Sequence, residues 1–319
     1  MSIGLQRIQG WFRKLSTYDS SARASMRLNS SALSSTFRRR FPILVVIAIA
    51  VVLFGFFYLA PLILLLRTSF WKYSPGVIPG YMVPAFTLEN YFQALTGTYY
   101  DYVILTLRIG LVSTVAAVLT SYPVAYMIAR WKNHETLKKV LLTTMICSFL
   151  VGSMARVFAW YSMLTGAGFV NAILVLAGLQ KIRFIGTELA IEICQTQYLI
   201  SLATLSLIAP LKNIEPSLQE ASKSLGADEV RTFISVTLPL SLPGIVAASL
   251  ICFAVTVSSF VTPMVLGAGG ILMVSNIVYT RFLEISNYPL GSAFAVILLL
   301  TSFVSMYVLE KLLLLRFRV

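Results

Sequence analysis

The sequence predicts an all-α membrane protein built from six transmembrane helices, and three observations carry that prediction. Of 319 residues, 58% are hydrophobic and only 12% are charged, about half the charged share of a soluble domain. The apolar residues gather in blocks that reach the ~20 residues a helix needs to cross a hydrocarbon core. The basic residues are shared unevenly between the segments joining those blocks, which is the pattern that orients helices in membranes.

The blocks run approximately over 41–66, 102–129, 140–164, 188–211, 240–266 and 293–315. Arg38, Arg39 and Arg40 precede the first, as in a signal or twin-arginine leader. Block 41–66 exceeds the 7–15-residue core of a signal peptide, however, and no small-residue cleavage site follows it. It therefore reads as a first membrane helix held by its arginines. Pro123 and Pro243 fall within or at the end of spans, where neighbouring helices satisfy the freed carbonyls. Segment 67–101 carries Pro75, Gly76, Pro79, Gly80 and Pro84, and reads as a loop with a short helix near its end, capped by Thr87. The first 40 residues form a basic tail. Its apolar residues Leu5, Ile8, Trp11, Phe12 and Leu15 fit either a helix on the membrane surface or an unstructured arm.

Orientation follows from the positive charges. Segments 1–40, 130–139, 211–236 and 310–319 together hold 18 of the 25 Lys and Arg residues, and segments 67–101, 165–187 and 262–290 hold 5. Arg108 and Arg156 lie within spans. The positive-inside rule places both termini in the cytoplasm. The net charge of +13 is explained by these flanks, and no aromatic–basic stripe of a nucleic-acid surface accompanies it. Cys147, Cys194 and Cys252 sit singly in apolar blocks and the one histidine, His134, sits in a charged loop. That spacing supports neither a disulfide framework nor a metal site.

The most informative segment is 212–239, between the fourth and fifth blocks. Pro216 suits the first turn of a helix, and Leu218, Ala221, Ser222 and Leu225 form a stripe of small and apolar residues at helical spacing. Gly226 is placed to end that helix in a left-handed cap. A second short helix runs through Phe233, and Leu238-Pro239 turns the chain back into the membrane. Two short helices joined at a glycine make a knob able to fit a groove on another protein.

This segment resembles the EAA loop of binding-protein-dependent ABC importer permeases. Glu220-Ala221-Ser222, Gly226 and Val236-x-Leu238-Pro239 stand at the loop's spacing, with Ser222 for the second Ala and Val236 for Ile. The resemblance covers residues 41–319. It implies an ABC importer permease fold with a cytoplasmic coupling helix between helices 4 and 5, docking in a cleft of a dimer of ATP-binding subunits. It also implies a second permease subunit, a periplasmic solute-binding protein and a bacterial inner-membrane location. Ser217-x-x-Glu220 equally fits a capping box, in which Glu220 only closes a helix end. No Gly-x-x-x-x-Gly-Lys-Ser/Thr phosphate loop occurs. ATP and Mg are thus expected on the partner ATPase, with no cofactor on this chain.

Within that family the chain is similar to spermidine/putrescine-type permeases, through Tyr122-Pro123-Val124-Ala125-Tyr126, Arg156-Val157-Phe158-Ala159-Trp160, Phe260-Val261-Thr262-Pro263 and Leu266-Gly267. Permeases for opines, iron or sulfate share parts of these. A polyamine needs carboxylates or aromatic faces along its route. Glu188, Glu192 and Gln195 recur on one face of the fourth helix. Arg156, within about 15 Å of the outer end of the third span, has two readings: a structural ion pair with Glu192, or a place in the pathway. Trp160, one turn on, is an interfacial anchor or a pathway stacker. Arg108 is expected to snorkel.

Two other classes compete. A secondary transporter calls for discontinuous helices in matching halves or for coupling carboxylates near the midplane, and a membrane enzyme calls for a nucleophile–base or metal constellation. The sequence presents neither pattern.

Overall fold

The computed structural model describes residues 45–75, 82–96, 98–131 and 134–316. The expectations for the basic tail and for Arg38–Arg40 lie outside them. By chain contacts the protein divides at Leu64/Leu65 into two units. The described part of the first is helical and belongs to α1 (Val45–Ser69), whose course widens into a π-helical turn at Gly55–Leu59. Val46, Phe56, Phe57 and Ile63 are all exposed along it, as suits a helix surrounded by hydrocarbon.

The second unit opens with the end of α1 and a minimal hairpin, β1 (Lys72–Tyr73) against β2 (Met82–Val83). Helix α2 (Glu89–Leu95) follows. Leu88, and not Thr87, stands at its cap position, yet the Thr87 hydroxyl still accepts from the Glu89 N–H at 3.1 Å. Buried Asn90 donates to the Ser69 and Trp71 carbonyls at 2.9 and 2.8 Å, fastening α2 to the end of α1.

Helix α3 (Thr98–Arg130) and helix α7 (Glu188–Lys212) run side by side in the same direction. Arg108 pairs with Glu188 near both starts, and Arg130 donates to the Ile214 carbonyl beyond both ends. Helix α9 (Glu229–Val257) runs the opposite way and packs against both. Its Ser241 meets Tyr122 of α3 at 2.8 Å, and its Cys252 thiol reaches the Leu199 carbonyl of α7 at 3.9 Å. The seam is built from small residues, Ala117, Ala125, Ala203 and Ala248 among them, which let helices approach closely where lipid offers no hydrophobic gain. Helix α12 (Tyr288–Arg316) packs Phe294 at a tilt against Tyr99 of α3. Among the described residues six helices are long and apolar enough to span a membrane, and the all-α, six-span prediction is met.

Three boundaries differ from the sequence reading, each for a backbone reason. Block 140–164 is two helices, α4 (Glu135–Leu150) and α5 (Ser153–Leu164). Between them Val151 and Gly152 are extended, with ψ of 123° and 146°. Block 240–266 likewise stops at Val257 and resumes as α10 (Val261–Leu266). Both breaks sit inside apolar stretches, so hydropathy runs straight across them. Finally, no turn occurs at Leu238-Pro239. The short helix from Glu229 passes through a π-helical turn at Phe233–Thr237 and continues into α9, because Pro239 falls in the first turn of the segment after the widening, where its missing N–H costs little. Segments read as loops also hold short helices: α6 (Phe169–Leu176), and α11 (Val274–Tyr279), which widens into Thr280–Glu284.

The freed carbonyls at the breaks are satisfied by side chains, as a low-dielectric surrounding demands. Ser275 donates to the Ser259 carbonyl at 2.6 Å and Asn276 to the Phe260 carbonyl at 3.0 Å. At the other break the acceptor is the Val151 carbonyl and the donor is Arg156.

Candidate functional site

Two places in the chain combine unusual geometry with the residues singled out from sequence. The first is the knob between α7 and α9. Pro216 occupies the first position of α8 (Pro216–Ser224), and Glu215 stands at the cap position without a side-chain capping bond. Ser217 therefore lies inside the helix, and the capping-box reading of Ser217 and Glu220 does not hold. The helix ends in a Schellman turn: Gly226 donates to the Lys223 carbonyl at 3.0 Å and Ala227 to the Ser222 carbonyl at 3.2 Å. Gly226 has φ +87°, a conformation that a Cβ penalises.

The knob is then tied down on one side only. Ser222 meets Thr232 at 3.2 Å, Gln219 donates to Thr237 at 2.8 Å, and Lys223 pairs with Glu229 at 3.0 Å. Asp228 caps the start of α9 by accepting from the Arg231 N–H at 2.7 Å. The other side is bare. Of the expected stripe, Leu218, Ala221 and Leu225 are exposed and only Ser222 turns inward. Leu225 is 89% exposed, and Val230 and Ile234 continue the apolar ridge at 65% and 57%. Glu220 is exposed beside them. Val230 and Ile234 were not part of the expected stripe, which lay on the first short helix alone, and Ile234 falls in the π-helical turn just beyond Phe233, the expected end of the second. Leu238 and Pro239, half-buried, sit at the root of the knob. Phe233, in the π-helical turn, packs edge-on against Tyr122 and Tyr126 of α3.

A local prediction follows from the cap. No atom lies within 4 Å of a Cβ placed on Gly226, so Gly226→Ala carries only the backbone cost, about 1–2 kcal/mol. Hydrogen exchange over residues 216–232 is expected to quicken by about tenfold, with the rest of the chain unchanged. Unaltered exchange there would contradict the cap.

The second place is a cavity of about 290 Å³ where the two broken helices meet. Val151, Ser153 and Arg156 line it from one break, and Ser259, Phe260 and Thr262 from the other. Helix α7 closes it with Cys194, Gln195 and Tyr198. The Arg156 guanidinium lies 4.0 Å over the Tyr198 ring while donating to the Val151 carbonyl. Its Nε is buried without a hydrogen-bond partner, as is Nε2 of Gln195.

The expected ion pairing is rearranged. Arg156 does not pair with Glu192, because the Tyr198 ring and the broken-helix carbonyl hold it towards the cavity. Arg108, expected to snorkel, is mostly exposed and pairs with Glu188. Glu192 is half-buried one turn before Gln195, and neither Glu188 nor Glu192 is among the cavity's lining. Trp160 packs against the neighbouring core, with its indole N–H 3.5 Å from Gln197 Oε1. The structure therefore brings Arg156 and Gln195 together and leaves Trp160, Glu188 and Glu192 outside. Tyr198 was missed, although it follows Gln195 by three residues on the same helix face.

Comparison with known proteins places this architecture. Residues 121–319, more than half of the chain, match the family described as binding-protein-dependent transport system inner membrane component. The spermidine/putrescine transport system permease protein PotB of Escherichia coli is 27% identical over 244 residues, covering 76% of this chain and 87% of that protein. Its Salmonella typhimurium counterpart is 28% identical, covering 76% and 83%. The inner membrane ABC transporter permease protein YdcU of Escherichia coli is 26% identical, covering 76% and 81%. Among solved structures, a bacterial ABC transporter involved in alginate import superposes with a TM-score of 0.71 at 16% identity, over 88% of this chain and 98% of that one. The discontinuous helices, which taken alone fit a secondary transporter, thus occur in a different class. The chain belongs to the family of binding-protein-dependent transport system inner membrane components, the multi-pass permease subunits of ABC importers.

Proposed function

We propose that this chain forms half of a solute pathway and receives its driving force through the knob at Glu215–Pro239. The observation that carries this reading is the one-sided knob: an exposed apolar ridge of Leu218, Leu225, Val230 and Ile234 on a capped helix pair, continuous with a helix whose Val255 lines the cavity. Such a ridge is what a groove on another protein requires. That protein is a dimer of ATP-binding subunits, on which ATP and Mg reside, and Glu220, Ala221, Ser222 and Gly226 belong to the contact or its support. A second permease chain completes the pathway, and a periplasmic solute-binding protein delivers cargo. Both termini face the cytoplasm, in accord with the positive charges. Access alternates: ATP binding draws the knobs together and opens the spans outward, and hydrolysis resets them.

The relatives named for spermidine and putrescine support an organic amine as cargo, a polyamine in the first instance. A second reading, an amine that also bears a carboxylate, as opines do, is favoured by the guanidinium and amide donors in the cavity. Co-purification with the candidate ATPase, second permease and binding protein, followed by ATPase assays with polyamines, opines and metal chelates, tests the reading. Association and solute-stimulated hydrolysis are expected. A folded permease that retains no ATPase would overturn it.

A further inference from the structure

The cavity between the two broken helices carries donors in excess. Among the described residues, Arg156 makes one hydrogen bond, to the Val151 carbonyl, out of five N–H donors on a guanidinium. Its charge meets no carboxylate within 4 Å among those residues; the three ion pairs there are Arg108–Glu188, Lys138–Glu135 and Lys223–Glu229. Gln195 is 4% exposed, lines the cavity, and holds a buried Nε2 without a partner. The lining contains no Asp or Glu.

The backbone adds to the same sign. Ser153, the first residue of twelve-residue α5, is on the cavity wall, and no side chain caps that helix start. Half-helix N-termini at a break in the membrane present free N–H groups and positive dipole ends towards anionic groups. Three independent elements thus converge on one chemistry: a planar cation, an amide and a helix start.

The buried Arg156 Nε and Gln195 Nε2 are costly while unmatched, since a buried polar group without a partner loses its hydration for nothing. A plain polyamine cannot relieve that cost, because it brings ammonium donors and like charge to a site already full of both. Of the three aromatic rings on the lining, Tyr198 is occupied by Arg156, Phe149 is stacked on Tyr198 and Phe260 packs on Tyr279. A carboxylate relieves it fully, taking two parallel bonds from the guanidinium and one from Gln195.

We infer that the Arg156–Gln195 cavity is a carboxylate site in the solute pathway, so that the cargo is an amine carrying a carboxylate. This rests on the permease reading above and takes the second of its two cargo readings over the first. The hydroxyls of Ser259 and Thr262 on the opposite wall, 3.5 Å from one another, offer oxygen lone pairs to the ammonium end.

The matched pairs ornithine/putrescine and lysine/cadaverine differ by one carboxylate each and isolate this chemistry. Equilibrium binding is measured on the permease–ATPase complex in nanodiscs, without the binding protein, so that the latter's own selectivity does not enter. The amino acid of each pair is expected to bind about tenfold tighter or more than its diamine. Arg156→Gln and, separately, Gln195→Leu should erase that preference by weakening the amino acid alone, with the diamine bound as well or tighter once the like charge of Arg156 is gone, and Arg156→Lys should keep part of it. Equal binding within each pair, or equal loss of both members in Arg156→Gln, would overturn the site. So would separation of the two permease chains in Arg156→Gln without a change of preference, which assigns the carboxylate to the facing chain. Failure of the complex to assemble at all overturns the transport reading itself, a different result from an assembled complex that shows no preference.

Discussion

Leu225→Glu is expected to leave the permease folded and to part it from its ATPase. The side chain is 89% exposed and caps α8 only through its backbone, so its replacement removes no internal packing. Surface changes of this kind shift stability by about 0.5 kcal/mol or less. In the assembled transporter the same residue sits at the centre of the apolar ridge with Leu218, Val230 and Ile234. Burying a carboxylate there costs at least as much as truncating an anchor residue, about 2 kcal/mol or more, which is roughly a 30-fold loss of affinity. Titration of the ATPase onto nanodisc-held permease, beside thermal unfolding of each protein, reads both halves of the prediction. Unchanged affinity would remove the ridge from the contact and leave the coupling reading without its carrier.

Gly244→Val is expected to cost about 3 kcal/mol or more of stability. A Cβ at this position falls 2.6 and 2.7 Å from Cβ and Cγ of Pro210. The obstacle is a rigid ring on α7, not the end of a flexible chain, so the helices themselves must separate. The alanine seam on either side, Ala203 with Ala248, then opens as well. At Gly55 nothing lies within 4 Å of the point where a methyl group would stand, so Gly55→Ala serves as the neutral control. Thermal unfolding in detergent decides it; a Gly244→Val protein as stable as the control would mean that α7 and α9 do not pack as described.

The six spans and the knob were legible because they rest on signals that survive averaging. Hydropathy marks a span wherever about 20 apolar residues run together, and a proline and a glycine mark the two ends of α8. The breaks at Val151–Gly152 and Ser258–Phe260 were not legible for the same reason. They interrupt hydrogen bonding without interrupting hydrophobicity, and the side chains that compensate the second of them, Ser275 and Asn276, come from a distant segment. The cavity was half legible. Arg156 and Gln195 stood out as polar residues in apolar blocks, but which acid would face Arg156 depends on helix rotation. Rotation is fixed by packing, and it turned Arg156 to Tyr198 while Glu188 went to Arg108. Leu225 and Ile234 looked like ordinary apolar residues until burial showed that nothing covers them.

The unbroken course of α9 has a mechanical consequence. From Glu229 to Val257 it spans 29 residues, about 43 Å of helix, with its foot in the knob and Val255 at the cavity wall. A pin-jointed linkage would let the foot shift while the far end stayed still. A continuous helix has far less slack: its wide turn is clamped by Phe233 against Tyr122 and Tyr126, and its other yielding point is Pro243. On the coupling reading, a displacement felt at Leu225 arrives at the solute with little loss, and the wall of the cavity keeps time with the nucleotide.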